Sequence, residues 1–303
     1  MIPFLLTLAA LSQAAAGGDA IAVHEWGVVL YGSDDAVAVG APAVDPLGAI
    51  CVDAPVLTFH GAPFTGDVAV CSLGEITAVY PDPDGAGGAI SGILGGLGSC
   101  VRWEGLSVGP GMPSDADRWA GPPVAGFDWA VGLWRVPGVS RVSRSRDAFE
   151  DAFLYYEVEF GEDGLPVPLE GLAPAGTPPE ELSGDVLVFR RRDGWVTADF
   201  ESPAADRRAV DESLPTDVQT GGAGGALQTV RAWADGLLTE EELGAMWGTW
   251  EPYILYGDWQ GDSLLVFPLP QPLIERISTI VVTPDVDLPV TISRFFLGMK
   301  SSG

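Results

Sequence analysis

Basic residues and histidine are scarce in this chain. Lys300 is the only lysine, no arginine precedes Arg102, and His24 and His60 are the only histidines. Fifteen Lys and Arg face 42 Asp and Glu, a net charge of -27, and a field of that sign repels phosphate backbones and anionic lipid. Nucleic acid is therefore not expected as a partner, since the basic stripe of a binder is missing. A Ser-His-Asp triad would have to use one of the two histidines, and a serine hydrolase is not expected. No Cys-x-x-Cys or Cys-x-x-His spacing occurs, so a structural zinc site is not supported. Disorder is also excluded, because 47% hydrophobic residues with ten Trp and twelve Phe can bury a core.

Charge is missing altogether from the start of the chain. Met1 to Ala16 is an uncharged apolar run closing on Ala14-Ala15-Ala16, which reads as a secretory signal peptide spanning 1–18 with cleavage near Ala16. Its apolar core, Ile2 to Leu11, is too short for the ~20 residues of a membrane span, and no transmembrane segment is expected after cleavage. The reading is a secreted or periplasmic protein. Its three cysteines, Cys51, Cys71 and Cys100, then meet an oxidising compartment that favours pairing two of them. Cys51 with Cys100 is the expected disulfide, leaving Cys71 as a buried apolar filler.

Most of the chain reads as short strands rich in Val, Ile, Phe, Tyr and Trp between Gly and Pro clusters, the pattern of a sandwich or barrel. The runs are Ile21 to Tyr31, Pro55 to His60, Asp67 to Leu73, Glu75 to Tyr80, Cys100 to Val108, Ala152 to Phe160, Asp185 to Arg191, Trp195 to Phe200, Ser263 to Pro268, Ile277 to Thr283 and Pro289 to Gly298. Asp193-Gly194 suits a type I′ turn and predicts a tight hairpin. Leu227, Val230 and Trp233 recur at helical spacing. Thr239 to Glu242 is a capping box opening a second helix that Pro252 should end. The expected fold is mainly β: β-sandwich-like antiparallel sheets with an inserted helical hairpin near 224–250. A β-rich domain, 19–201, would be followed by a linker or long loop, 202–225, and by 226–303, the helical hairpin and C-terminal strands packed on the first domain.

Chemistry has few places to sit. His24-Glu25-Trp26-Gly27 opens like the His-Glu-x-x-His zinc motif, but Val28 stands where the second histidine belongs, and that motif needs a helix. On a strand, His24 and Trp26 share one face and Glu25 points to the other, so His24 and Glu25 cannot ligate one metal. A His beside a Trp on an apolar strand reads as a packed residue with one satisfied hydrogen bond. The competing reading joins His24 and His60 with a distant carboxylate in a two-His-one-carboxylate site suited to zinc or iron. Acidic pairs at Asp34-Asp35, Asp82-x-Asp84-Gly85, Asp115-x-Asp117 and Asp285-x-Asp287 could take calcium, or could simply be turn chemistry. Arg135, Arg141, Arg144 and Arg146, with Arg190 to Arg192, could grip an anionic ligand such as a uronate, or could pair with the surplus carboxylates. Trp119, Trp129 and Trp134 could stack on sugars or pack in the core.

At Val23-His24-Glu25-Trp26-Gly27 the chain resembles a group of uncharacterised exported bacterial proteins whose mature part opens with a His-Glu-Trp-Gly-Thr sequence. The likeness recurs at Ala54 to His60, Gly74 to Pro81, Phe153 to Tyr156 and Leu238 to Glu242, continuing to Trp250. Val28 replaces the group's Thr, and Gly298-Met299-Lys300 departs from its more basic ending. The resemblance implies an exported, mainly β protein in which the segment His24 to Gly27 matters. The expected role is a non-catalytic binding or structural one in the envelope or secreted fraction, with a cell-wall or extracellular polymer or a protein as partner. The alternative is a metal-dependent hydrolase using His24 and His60, with calcium or zinc as the metal considered.

Overall fold

The computed structural model describes residues 20–31, 50–86, 98–113, 129–160, 186–192, 195–201, 223–257, 259, 261 and 263–301. Along the chain these form β1 (Ile21–Tyr31), β2 (Ile50–Gly61), β3 (Phe64–Ser72), β4 (Glu75–Tyr80), β5 (Gly85–Ala86), β6 (Ser99–Gly109), α1 (Val131–Trp134), β7 (Arg141–Arg144), β8 (Phe149–Asp151) and β9 (Leu154–Phe160). They continue as β10 (Val186–Arg192), β11 (Trp195–Glu201), α2 (Ala223–Trp233), α3 (Glu240–Tyr256), β12 (Ser263–Pro268), α4 (Gln271–Ile277), β13 (Ser278–Pro284) and β14 (Val290–Ser301). The 1–18 leader, the Asp193-Gly194 turn and residues 202–222 of the expected linker lie outside the described residues.

The protein is mainly β. An eight-stranded sheet runs β11-β10-β12-β14-β1-β2-β9-β4, and a six-stranded sheet runs β13-β3-β6-β7-β8 with β5 beside β6. One departure from the antiparallel expectation is at the centre: β1 and β14 pair in parallel, Ile21 with Val290 through Tyr31 with Lys300. The first and last strands are joined through the whole intervening chain, so no short hairpin forces them antiparallel. β12 and β14 share the large sheet with β1, β2, β9 and β10, and β13 pairs with β3 in the small one.

Strand alternation sends the two faces of the large sheet to different cores. On one face Ile21, Val23, Phe59, Tyr156 and Phe296 meet Phe64, Val68, Val70 and Trp103 of the small sheet, which is the sandwich interior. On the other, Trp26, Val56, Tyr155 and Phe295 pack on Val131 and Trp134 of α1, Val230 of α2, and Met246 and Trp250 of α3. Helices α1 to α3 thus form a third layer. Gly27 allows a close approach at the centre: a Cβ there would lie 2.9 Å from the Phe296 ring and 3.0 Å from Pro55 Cα. β2 carries an extra residue opposite Gly27, between Asp53 and Val56, a bulge that brings Pro55 close.

Helix α3 opens at Thr239 with the expected reciprocal capping box. It runs through Pro252 to Tyr256 instead of ending there. Proline removes one backbone donor, but burial of Ile254 in the helix-side core holds the last turn. The disulfide also differs from expectation, joining Cys71 to Cys100. These residues are register partners on the adjacent strands β3 and β6, whereas Cys51 sits on β2 in the other sheet. Cys71 is buried, as a disulfide half and not as a free filler.

Candidate metal centre

The register of β1 and β2 pairs His24 with Thr58 and Ala22 with His60. His24 and His60 are therefore diagonal neighbours on the helix-side face, within side-chain reach, and their ring centroids lie 4.4 Å apart. The capping box of α3 delivers the third group. Its Glu242 reaches back to the Thr239 backbone N–H, which donates to Oε2 at 2.8 Å, and this fixes the carboxylate over the two rings.

His24 Nδ1 meets Glu242 Oε2 at 2.7 Å, and His60 Nε2 meets Oε1 at 2.8 Å. The Thr58 hydroxyl donates to Oε1 as well. Each carboxylate oxygen thus accepts one hydrogen bond from an imidazole and one from a fixed donor of the fold. Glu242 is fully buried, while the His24 and His60 side chains retain 13% and 18% exposure, so the site opens past the rings. Burial pushes the Glu242 carboxyl up, but the hydrogen bonds and charges of His24 and His60 outweigh it and hold the group well below the ordinary carboxylate range. Among the described residues, His24, His60 and Glu242 offer one ligand atom each, all within 4.8 Å of one another. The cluster could chelate a divalent metal.

Glu25 points away from His24, as alternation requires, into the sandwich interior. There it is fully buried and takes hydrogen bonds from Arg294 Nε and the Tyr156 hydroxyl. Arg294 also donates to the carbonyls of Ile274 and Ser278, at 3.2 and 2.7 Å. Burial pulls the guanidinium pKa down, but the neighbouring Glu25 and Tyr156 oxygens raise it further, so Arg294 stays protonated. Trp26 packs in the helix-side core and Gly27 keeps the strands close.

The four arginines considered for an anion site face carboxylates of the chain itself. Arg135 forks onto Asp151 at 2.9 and 3.0 Å. Arg141 lies 3.5 Å from Glu150, Arg144 binds Asp84 at 2.7 Å and also Asp147, and Arg146 binds Asp84. Those contacts realise the pairing reading, because the acid surplus supplies partners nearby. Arg191 lies over the Trp259 ring, 4.1 Å from its centroid. Asp84, one of the residues weighed for calcium, is thus committed to arginine, and Asp285 accepts from the Thr65 hydroxyl; Asp34, Asp35, Asp115 and Asp117 lie outside the described residues. Trp134 is buried and stacked on Tyr155, which corrects the sugar-stacking alternative for it. Trp129 is 54% exposed, and Trp119 lies outside the described residues.

One Gly-x-Ser-x-Gly string is present, Gly105 to Gly109, but it runs inside β6 and not across the strand-to-helix turn that a nucleophile elbow needs. Both histidines lie in the other sheet. Sequence reading found His24 and His60 but missed Glu242 as their partner. The capping box was the available signal, because it fixes where that carboxylate points. Comparisons with family models, with curated proteins and with solved structures return no match.

Proposed function

We propose that this is an exported metal-dependent hydrolase whose metal is held by His24, His60 and Glu242. The convergence of two imidazoles and one buried carboxylate, from two strands and a helix, carries the reading. It favours this role over a non-catalytic binding or structural one. Two nitrogen donors suit zinc or iron and not calcium, which takes oxygen ligands. His24, His60 and Glu242 would hold the ion, and a zinc bound by three protein ligands would supply an activated water for hydrolysis near neutral pH. The apolar leader, the disulfide and the resemblance to exported proteins support the address.

A second reading rests on the hydrogen bonds themselves. Because the ionised carboxylate only accepts, it holds the protons on His24 Nδ1 and His60 Nε2, which leaves His24 Nε2 and His60 Nδ1 as bases without any metal. Hydrolysis of a panel of phosphodiester, ester and amide substrates separates the two. The metal reading expects activity that a chelator abolishes and zinc or iron(II) restores. Activity indifferent to chelation supports the metal-free pair.

A further inference from the structure

We infer that Thr58 is the positioning residue that makes Glu242 ligate through both oxygens, and that it thereby sets the metal preference of the site. The inference rests on the proposed metal reading. Glu242 accepts four hydrogen bonds, from Thr58 Oγ1 and His60 Nε2 at Oε1, and from the Thr239 N–H and His24 Nδ1 at Oε2. A cation bound by an imidazole nitrogen replaces the proton that nitrogen would donate, so metal binding removes the two histidine bonds. The Thr58 and Thr239 bonds remain, one on each oxygen. They hold the carboxylate with its O–C–O edge toward the rings, since His60 sits at one oxygen and His24 at the other.

Two oxygens and two nitrogens then face the ion, with further room on the partly exposed side. That set suits a five- or six-coordinate ion better than the closed four-coordinate geometry preferred by structural zinc. The Thr58 hydroxyl lies 3.5 Å from the His24 carbonyl and much nearer Glu242, so its proton goes to the carboxylate. Removing it frees Oε1 to turn, leaving only the Thr239 amide to orient the group. Loss of such an outer partner costs about 10- to 100-fold in metal affinity.

The test is cobalt(II) binding by the full purified protein, followed by visible absorption and by competition with a chromophoric chelator. The wild type should bind one cobalt with the weak bands of five- or six-coordination. Thr58→Val should bind about 10- to 100-fold more weakly with a changed spectrum, and Thr58→Ser, which keeps the hydroxyl, should restore both. Intense tetrahedral bands in the wild type overturn the two-oxygen assignment. Equal affinity and spectrum in Thr58→Val overturn the role of Thr58, and so does a folded Thr58→Ser that behaves like a Val variant. If Thr58→Val does not fold, Thr58→Ala takes its place, with the same loss of about 10- to 100-fold and a changed spectrum expected, and wild-type affinity and spectrum overturning the role. A wild type that binds no cobalt overturns the metal reading itself.

Discussion

Glu25 and Glu242 are both fully buried, on opposite faces of one sheet, and their neighbours treat their charge differently. Glu25 has a permanent cation, Arg294, and donors from Tyr156, inside the sandwich. Glu242 has two partly exposed imidazoles at the rim of the helix layer, whose nitrogens could ligate a metal. A closed network with a permanent counter-charge builds a fold. A buried carboxylate hydrogen-bonded to two imidazoles that reach solvent could build a site. Successive residues of one strand, His24 and Glu25, belong one to each.

The largest effect should come from breaking the closed network. Arg294→Met leaves an uncompensated buried carboxylate and should cost about 3 to 5 kcal/mol in urea unfolding. Adding Glu25→Leu should recover much of that loss, with metal uptake unchanged throughout. If Arg294→Met abolishes metal uptake in protein that is still folded, the two faces are not independent. Glu242→Gln should cost less stability, about 1 to 3 kcal/mol for weakened hydrogen bonds around a buried group, but should abolish metal uptake measured by equilibrium dialysis. Equal uptake by this variant would erase the distinction between the two carboxylates.

Glu157 supplies the smallest and most selective contrast. It is buried on the helix-side face, receives a hydrogen bond from the Tyr155 hydroxyl, and has its carboxyl pushed up by burial despite that bond. A folded pKa above the unfolded one means that the native state holds the proton more tightly. Its stabilising contribution is full below about pH 4.3 and is lost as pH rises through the folded value. Glu157→Gln should remove this decline and leave a flatter stability profile from acid to neutral pH, read by urea midpoints at each pH. An unchanged profile would show that Glu157 is not held in the protonated form.

Local patterns were legible where neighbours in the chain determine them. Alternation put His24 with Trp26 and turned Glu25 away, and the capping box opened α3 at Thr239. The Asp-Gly hairpin reading agrees with β10 and β11 pairing from Arg192 with Trp195 onward. What could not be read depends on pairing across the chain. Glu242 is 218 residues from His24 and 182 from His60, and β1 finds β14 at the far end. The disulfide follows from strand register, which sets Cys71 opposite Cys100. Helices α1 and α4, four and seven residues long, are too short for a helical period to show.

Metal content of purified protein, measured by mass spectrometry after dialysis against metal-free buffer, tests the central claim most directly. The account predicts about one zinc or iron per chain in the wild type, the stoichiometry of a single site, and its loss in His24→Gln, His60→Gln and Glu242→Gln while Arg135→Gln keeps it. A wild type without bound transition metal, or metal retained in all three site variants, would contradict it.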